Sequence, residues 1–325
     1  MSCGRPLPAA RWRAARALRG RRLWRSVTTA LSALVLAGTL AFACDRWVAA
    51  TALPSLEVET SVEVLARDGR LLRAFTVADG RWRLGVAPER VDQDYLALLL
   101  AFEDKRFYQH AGVDPVALAR AALQSLLHGR VASGGSTLTM QVARLLEEGS
   151  TGSLTGKVRQ VRVALALERA LSKGEILALY LHLAPMGGNL EGVRAGSLSW
   201  FGKEPARLTE AEAALLVALP QAPSARTPDT HPAAALTARS RVLERGVAAG
   251  VVTEEAAQAA SRELLPAARR PFPALAPHLA DRLRAADPGA RLHRTTIDAD
   301  LQAALEALAV DALLDLPPQA TVALL

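Results

Sequence analysis

AFEDKRFYQHAG, residues 101–112, is the stretch that decides how this chain reads. An apolar run from Leu96 to Phe102 leads straight into adjacent carboxylates, Glu103 and Asp104. On a continuous helix Glu103, Phe107 and His110, spaced four and then three apart, would share one stripe. Apolar surroundings raise a carboxyl pKa and suit it to proton transfer near neutral pH. The same residues also read as a solvated helix end with an Asp-Lys-Arg charge cluster. The segments on either side decide between the two.

From Pro88 onward apolar residues recur at three and four, which predicts a mainly α domain. Asp114-Pro115 reads as an N-cap with proline at the first helical position, opening a helix that closes at Gly129. Ser172 with Glu175 and Thr209 with Glu212 make capping boxes. Thr253 and Asp298 start two further helices. Ala211 to Leu219 is apolar nearly all round and should be central. In SGGSTLTMQ, residues 133–141, two glycines permit a tight turn, and Ser136 is a natural N-cap for a helix running to Glu147. Such a helix start offers free N–H groups and a positive dipole end to an anion. Gln141 and Arg144 fall on its one face, and Lys157, Arg159 and Arg162 follow on a basic helix start. Together they could hold a phosphate or pyrophosphate. Each alone reads as a loop junction or a solvated face.

The chain has 325 residues, 50% hydrophobic and 22% charged, enough for a large core. Its charge of +7 does not point to nucleic acid. Eight arginines, from Arg5 to Arg25, precede the first acidic residue, Asp45, and without them the chain is near neutral. Aromatics, at 4%, are too scarce for a base-stacking platform. Residues 26–44 carry no charge, and as a helix they would span roughly 28 Å, about one hydrocarbon core. Arginines before them predict a cytoplasmic N-terminus and a single-pass anchor, with the remainder across the membrane. Ala41-Phe42-Ala43 makes a cleaved signal peptide the rival. Cys3 and Cys44 are not expected to pair. Residues 45–87 read as a small β stalk: VEVLA and LLRAF flank Arg67-Asp68-Gly69-Arg70, a hairpin signal, with a third strand at Arg81–Leu84.

In this order the segments resemble the family 51 glycosyltransferases, the peptidoglycan-polymerising domain of class A penicillin-binding proteins. The resemblance rests on Glu-Asp-x-x-Phe-x-x-His-x-Gly at 103–112, Gly-Gly-Ser-Thr-Leu-Thr-Met-Gln at 134–141, the Lys157 segment and Ile176-Leu177-x-Leu-Tyr-Leu181. It continues through Trp200-Phe-Gly-Lys203 and Leu208 to Ser224. Arg81-Trp-Arg83, residues 184–188 and Gln160 are similar to the 1C branch. The resemblance implies a lysozyme-like fold at residues 88–260. It also implies Glu103 as general base, and lipid II and the growing glycan strand as substrates. Asp104, Ser136, Thr137, Gln141, Arg144, Lys157 and Gln160 match substrate-binding positions, with Asp104 and His110 more suited to holding the motif's geometry. Membrane lipid and other cell-wall synthesis proteins are the implied partners.

Two departures stand out. Gln160 takes the place of a glutamate linked to pyrophosphate or to a divalent ion, Mg²⁺ or Mn²⁺, so dependence on a metal is not implied. His182 stands where the family often has asparagine. Residues 261–290 read as a linker and 291–325 as the opening of a transpeptidase domain, with a possible strand at 321–325. No Ser-x-x-Lys, Ser-x-Asn or Lys-Thr-Gly occurs here, so acyl transfer is not expected of this chain, which reads as either a truncated product or a fragment of a longer protein. The alternatives are an inactive scaffold for cell-wall assembly and a glycan-cleaving hydrolase.

Overall fold

The computed structural model describes residues 9–128, 135–147 and 153–314. Ser133, Gly134, Gly129 and the strand expected at 321–325 lie outside them. The elements run α1 (Ala9–Ala49), β1 (Glu63–Leu65), β2 (Leu71–Ala74), β3 (Trp82–Arg83), α2 (Gln93–Glu103), α3 (Pro115–His128), α4 (Leu138–Glu147), α5 (Leu154–Ala170) and α6 (Lys173–Leu183). They continue with β4 (Leu190–Glu191), α7 (Val193–Phe201), α8 (Glu210–Ala218), α9 (Pro232–Ala249), α10 (Glu254–Arg262), α11 (Pro277–Ala286), β5 (Leu292–Arg294) and α12 (Ala299–Leu314). The protein is mainly α, as its periodicity predicts.

Residues 1–52 form one unit and residues 53–325 another. In the first, α1 does not stop at Cys44 but carries on through Asp45 and Arg46. Thr28–Ala49 is long and apolar enough to cross a membrane.

In the second unit the predicted caps form. Asp114 accepts from the N–H groups of Val116 (2.9 Å) and Ala117 (3.0 Å). Ser172/Glu175 and Thr209/Glu212 are complete capping boxes. Residues Ala213 to Leu219, on α8 and the turn after it, are buried at the centre, packed on α2 and α9. Tyr95, Leu98 and Leu99 of α2 and Leu177, Tyr180 and Leu181 of α6 fill the same core.

The hairpin forms as expected, β1 against β2, with Gly69 in the left-handed region that its turn needs. Its third strand is not Arg81–Leu84. Trp82 and Arg83 pair in parallel with β4, and β5 from near the far end of the chain pairs in parallel with β1. A second core joins Val64 and Leu72 of the hairpin to Ala280 of α11 and to Ala299 of α12. The stalk, linker and domain opening expected as three pieces therefore contribute to one small module. Nor does the segment between Pro266 and Pro277 hang free: Arg270 donates its N–H to the Ser199 carbonyl (2.6 Å), and Phe272 packs on Trp82 at 4.7 Å between ring centroids.

An ionic network ties the hairpin to the helices. Arg194 of α7 donates to Glu63 of β1 (2.5 Å), to Glu204 through two nitrogens (2.7 and 2.9 Å) and to the Gly85 carbonyl (3.0 Å). Arg83 of β3 reaches Glu191 of β4 at 2.8 Å. His182 fills its departed position differently. Its Nε2 accepts the Val86 N–H at 3.0 Å, and burial, with the Arg83 charge, holds its pKa below the ordinary value. It is a neutral acceptor fastening α6 to the chain after β3.

Candidate active site

Glu103 is the last residue of α2. Its Oε2 accepts from Gln141 Nε2 of α4 (2.8 Å), and its Oε1 from Gln221 Nε2 in the turn after α8 (2.9 Å). Burial pushes its pKa up; the two amides and the charges of Arg245 and Arg144 oppose this without cancelling it. Tyr95 and Tyr180 are fully buried near enough for the Glu103 charge to add to the rise in their own pKa values. The carboxylate is therefore more basic than a free one and held by two neutral donors.

The single stripe of Glu103, Phe107 and His110 does not form. The helix ends at Glu103, Asp104 adopts φ −157°, and Phe107 sits in a separate turn of 3₁₀ helix. The reason lies in the Asp104 side chain. Its carboxylate, in a residue only 6% exposed, accepts the Leu138 N–H at the start of α4 (2.9 Å) and pairs with His110 Nε2 (3.0 Å). The first amide of α4 is thus already met by an anion from the protein. Thr137, not Ser136, caps that helix: its Oγ1 accepts the Met140 N–H (3.1 Å) and donates to the Gly112 carbonyl (2.6 Å). Asp104 and Thr137, expected among the substrate-binding residues, are spent on joining α2, α4 and the loop before α3. Neither lines the cavity described next.

Gly112 has φ +91°, and a Cβ there would lie 2.7 Å from the Ala164 carbonyl oxygen. Gly112→Ala is expected to destabilise the domain by at least about 1–3 kcal/mol, because strain and a backbone clash coincide. Denaturant titration of the variant measures it; an unchanged midpoint would show that α5 yields.

A cavity of about 690 Å³ opens above Glu103. Ser136, Gln141, Arg144, Lys157 and Gln160 line it with Glu103, so six of the eight expected residues meet there. The Lys157 ammonium donates to Ser136 Oγ. Partial burial and the neighbouring Arg144 charge lower its pKa. Gln160, three residues on, is 6% exposed on the same helix. Glu168, two turns further, is structural: it accepts from Thr139 and from Lys173, both at 2.6 Å.

The site reading missed Gln221, Arg226, Arg241 and Arg245, which also line the cavity. Gln221 lay within the Leu208–Ser224 motif without a role. Arg241 and Arg245, four apart on α9, look locally like any solvated helix face. Among the described residues no group of three or more His, Cys, Asp and Glu is placed to hold a metal ion. The cavity's carboxylates, Glu103 and Glu244, stand among five cations. That donor set does not suit a divalent cation.

The transglycosylase family profile matches residues 68–247, over half of the chain. The chain belongs to that family. It is 46% identical over 273 residues to penicillin-binding protein 1C of Escherichia coli (strain K12), covering 84% of this chain and 35% of that protein. It is 32% identical over 306 residues to penicillin-binding protein 1A of Pseudomonas aeruginosa, covering 90% of this chain and 37% of that one. A crystal structure of penicillin-binding protein 1A from Haemophilus influenzae aligns at TM-score 0.37 and 20% identity, over 80% of this chain and 30% of that one. The transglycosylase chain thus spans about a third of the length of the curated relatives it matches. Its matched region contains both Glu103 and the Arg144–Lys157 pair.

Proposed function

We propose that this transglycosylase polymerises lipid II into glycan strands, with inversion at the donor sugar and release of undecaprenyl pyrophosphate. Glu103 takes the proton from the 4-hydroxyl of the acceptor N-acetylglucosamine as that oxygen attacks C1 of the donor N-acetylmuramic acid. The bond from C1 to the diphosphate oxygen breaks, and the diphosphate leaves as an anion needing cations rather than a proton. Lys157 and Arg144 supply them, with Ser136 and Gln141 beside them and Gln160 on the lining. Thr28–Ala49 serves as the membrane anchor that brings the site to its lipid substrate, on the periplasmic side. The observation that carries this reading is that one high-pKa carboxylate and a cation pair share a single cavity.

Incubation of the detergent-solubilised chain with labelled lipid II tests it on a gel. A ladder of polymer is the expected result. Shortening of ready-made glycan would indicate a hydrolase, and no change to either would indicate a scaffold.

The pH profile gives a second check. Activity should rise with pH as Glu103 ionises above its ordinary 4.5, and fall before 10.5 as Lys157 loses its proton. Gln221→Leu removes one donor to the ionised form. It should move the acid limb upward by about one pH unit, since a hydrogen bond to a charged group is worth about 1.5–3 kcal/mol. An unmoved acid limb would separate that limb from Glu103.

A further inference from the structure

We infer that a second, smaller cavity, between α7, α8, α9 and the segment after α10, is a binding site for a carboxylate carried on a short apolar stem. Its residues are separate from those of the polymerase reading, and it stands or falls independently of that reading.

This cavity measures about 190 Å³ and shares no lining residue with the one above Glu103. Trp200 and Phe201 of α7, Leu215 of α8 and Leu265 give it apolar walls, and Leu264, 94% exposed, stands beside them. Two arginines line it from different parts of the chain. Arg239 of α9 is only 2% exposed. Its Nη2 donates to the Ser261 (3.1 Å) and Glu263 (2.9 Å) carbonyls at the end of α10, but its buried Nε has no partner among the described residues. Burial pushes its pKa below the ordinary arginine value, and the Glu263 charge offsets this only in part. Arg270 is the second. Its N–H is fixed on the Ser199 carbonyl, and its side chain lies over Gly202, so close that a Cβ there would come within 2.8 Å of its Cδ. Its guanidinium makes no hydrogen bond or ion pair with any described residue.

The carboxylates on the lining are already engaged elsewhere. Glu212 accepts the Thr209 N–H (2.8 Å) and pairs with Lys203 (2.5 Å), and Glu263 accepts the Thr209 hydroxyl (2.9 Å). A buried guanidinium with an idle N–H is costly until an anion meets it, and its planar fork matches a carboxylate. The apolar walls call for hydrocarbon beside that anion. A cavity of about 150 Å³ is enough for benzene, so this one has room for a stem of about four to six carbons and not for a sugar. No bond is made or broken there; the site only binds.

Ligand-detected NMR titration of the full chain in detergent with 4-methylpentanoate tests this. A dissociation constant on the order of 1 mM is expected of so small a molecule. Its neutral amide should bind at least tenfold more weakly. Arg270→Gln and Arg239→Gln should each weaken the acid tenfold or more; if the buried Arg239 variant melts early, the exposed Arg270 variant decides alone. Lys157→Ala should change nothing, since that lysine lines the other cavity. Equal binding of acid and amide, or full binding by Arg270→Gln, would overturn the proposal. So would inorganic phosphate binding as well as the acid, or loss of the acid in Lys157→Ala, which would put the probe beside Glu103. A tripeptide ending in leucine separates two sources of the same chemistry. Binding tighter than the free acid assigns the site to a peptide C-terminus, and weaker binding assigns it to a small free acid.

Discussion

Glu103→Gln is expected to cut lipid II polymerisation by roughly 10²- to 10⁴-fold, the usual contribution of a positioned base. The amide preserves the size of the side chain between Gln141 and Gln221 but takes up no proton. Stability should move the other way. Burial raises the Glu103 pKa in the folded state. The group's contribution is therefore full below its unfolded pKa near 4.5 and is lost as pH rises through the higher folded value. Once ionised, the buried side chain is a cost that the amide removes. Thermal melts of both forms from pH 4 to 8 should show the variant gaining on the parent as pH rises. Polymerisation retained by the variant would defeat the assignment of the base, and a variant that loses stability at every pH would defeat the account of its burial.

Arg194→Met should destabilise the protein by about 3–5 kcal/mol, the range for breaking a buried ion pair from one side. Arg194 is 9% exposed and serves three acceptors at once: the carboxylates of Glu63 and Glu204 and the Gly85 carbonyl. Glu63 is buried as well, and burial raises its pKa even with Arg194 present. Without the arginine it would be a carboxylate in a dry setting facing nothing positive. The double variant Arg194→Met, Glu63→Leu should recover much of the loss, because the stranded charge goes with its partner. Denaturant midpoints for the two single variants and the double close the cycle. A double variant as weak as the sum of the singles would show that the pair is not coupled.

Local chemistry was legible in the sequence, and long-range chemistry was not. The turn at Asp68-Gly69, the caps at Asp114, Ser172, Thr209 and Thr253, and the central α8 were all readable because their partners lie within four residues. Asp104 misled for the opposite reason. Nothing near it reveals that its carboxylate will take an N–H 34 residues away, at Leu138, and that this contact ends α2. The same contact sits at the start of α4, where Thr137 is the cap. Arg241 and Arg245 escaped notice because a cavity wall and a solvated face have the same spacing on a helix. The third strand of the hairpin sheet was beyond reach, since its sequence neighbours give no sign of β1.

That last strand has a consequence for synthesis. Thr295 donates its N–H and hydroxyl to Leu65 across 230 residues of chain. As the polypeptide leaves the ribosome, the helices that line the cavity emerge whole while Val64 and Leu72 still wait for α11 and α12 to cover them. The nascent enzyme therefore has its bundle ready well before its foot is finished, and its early strands stay open to wrong partners until nearly three hundred residues have been made.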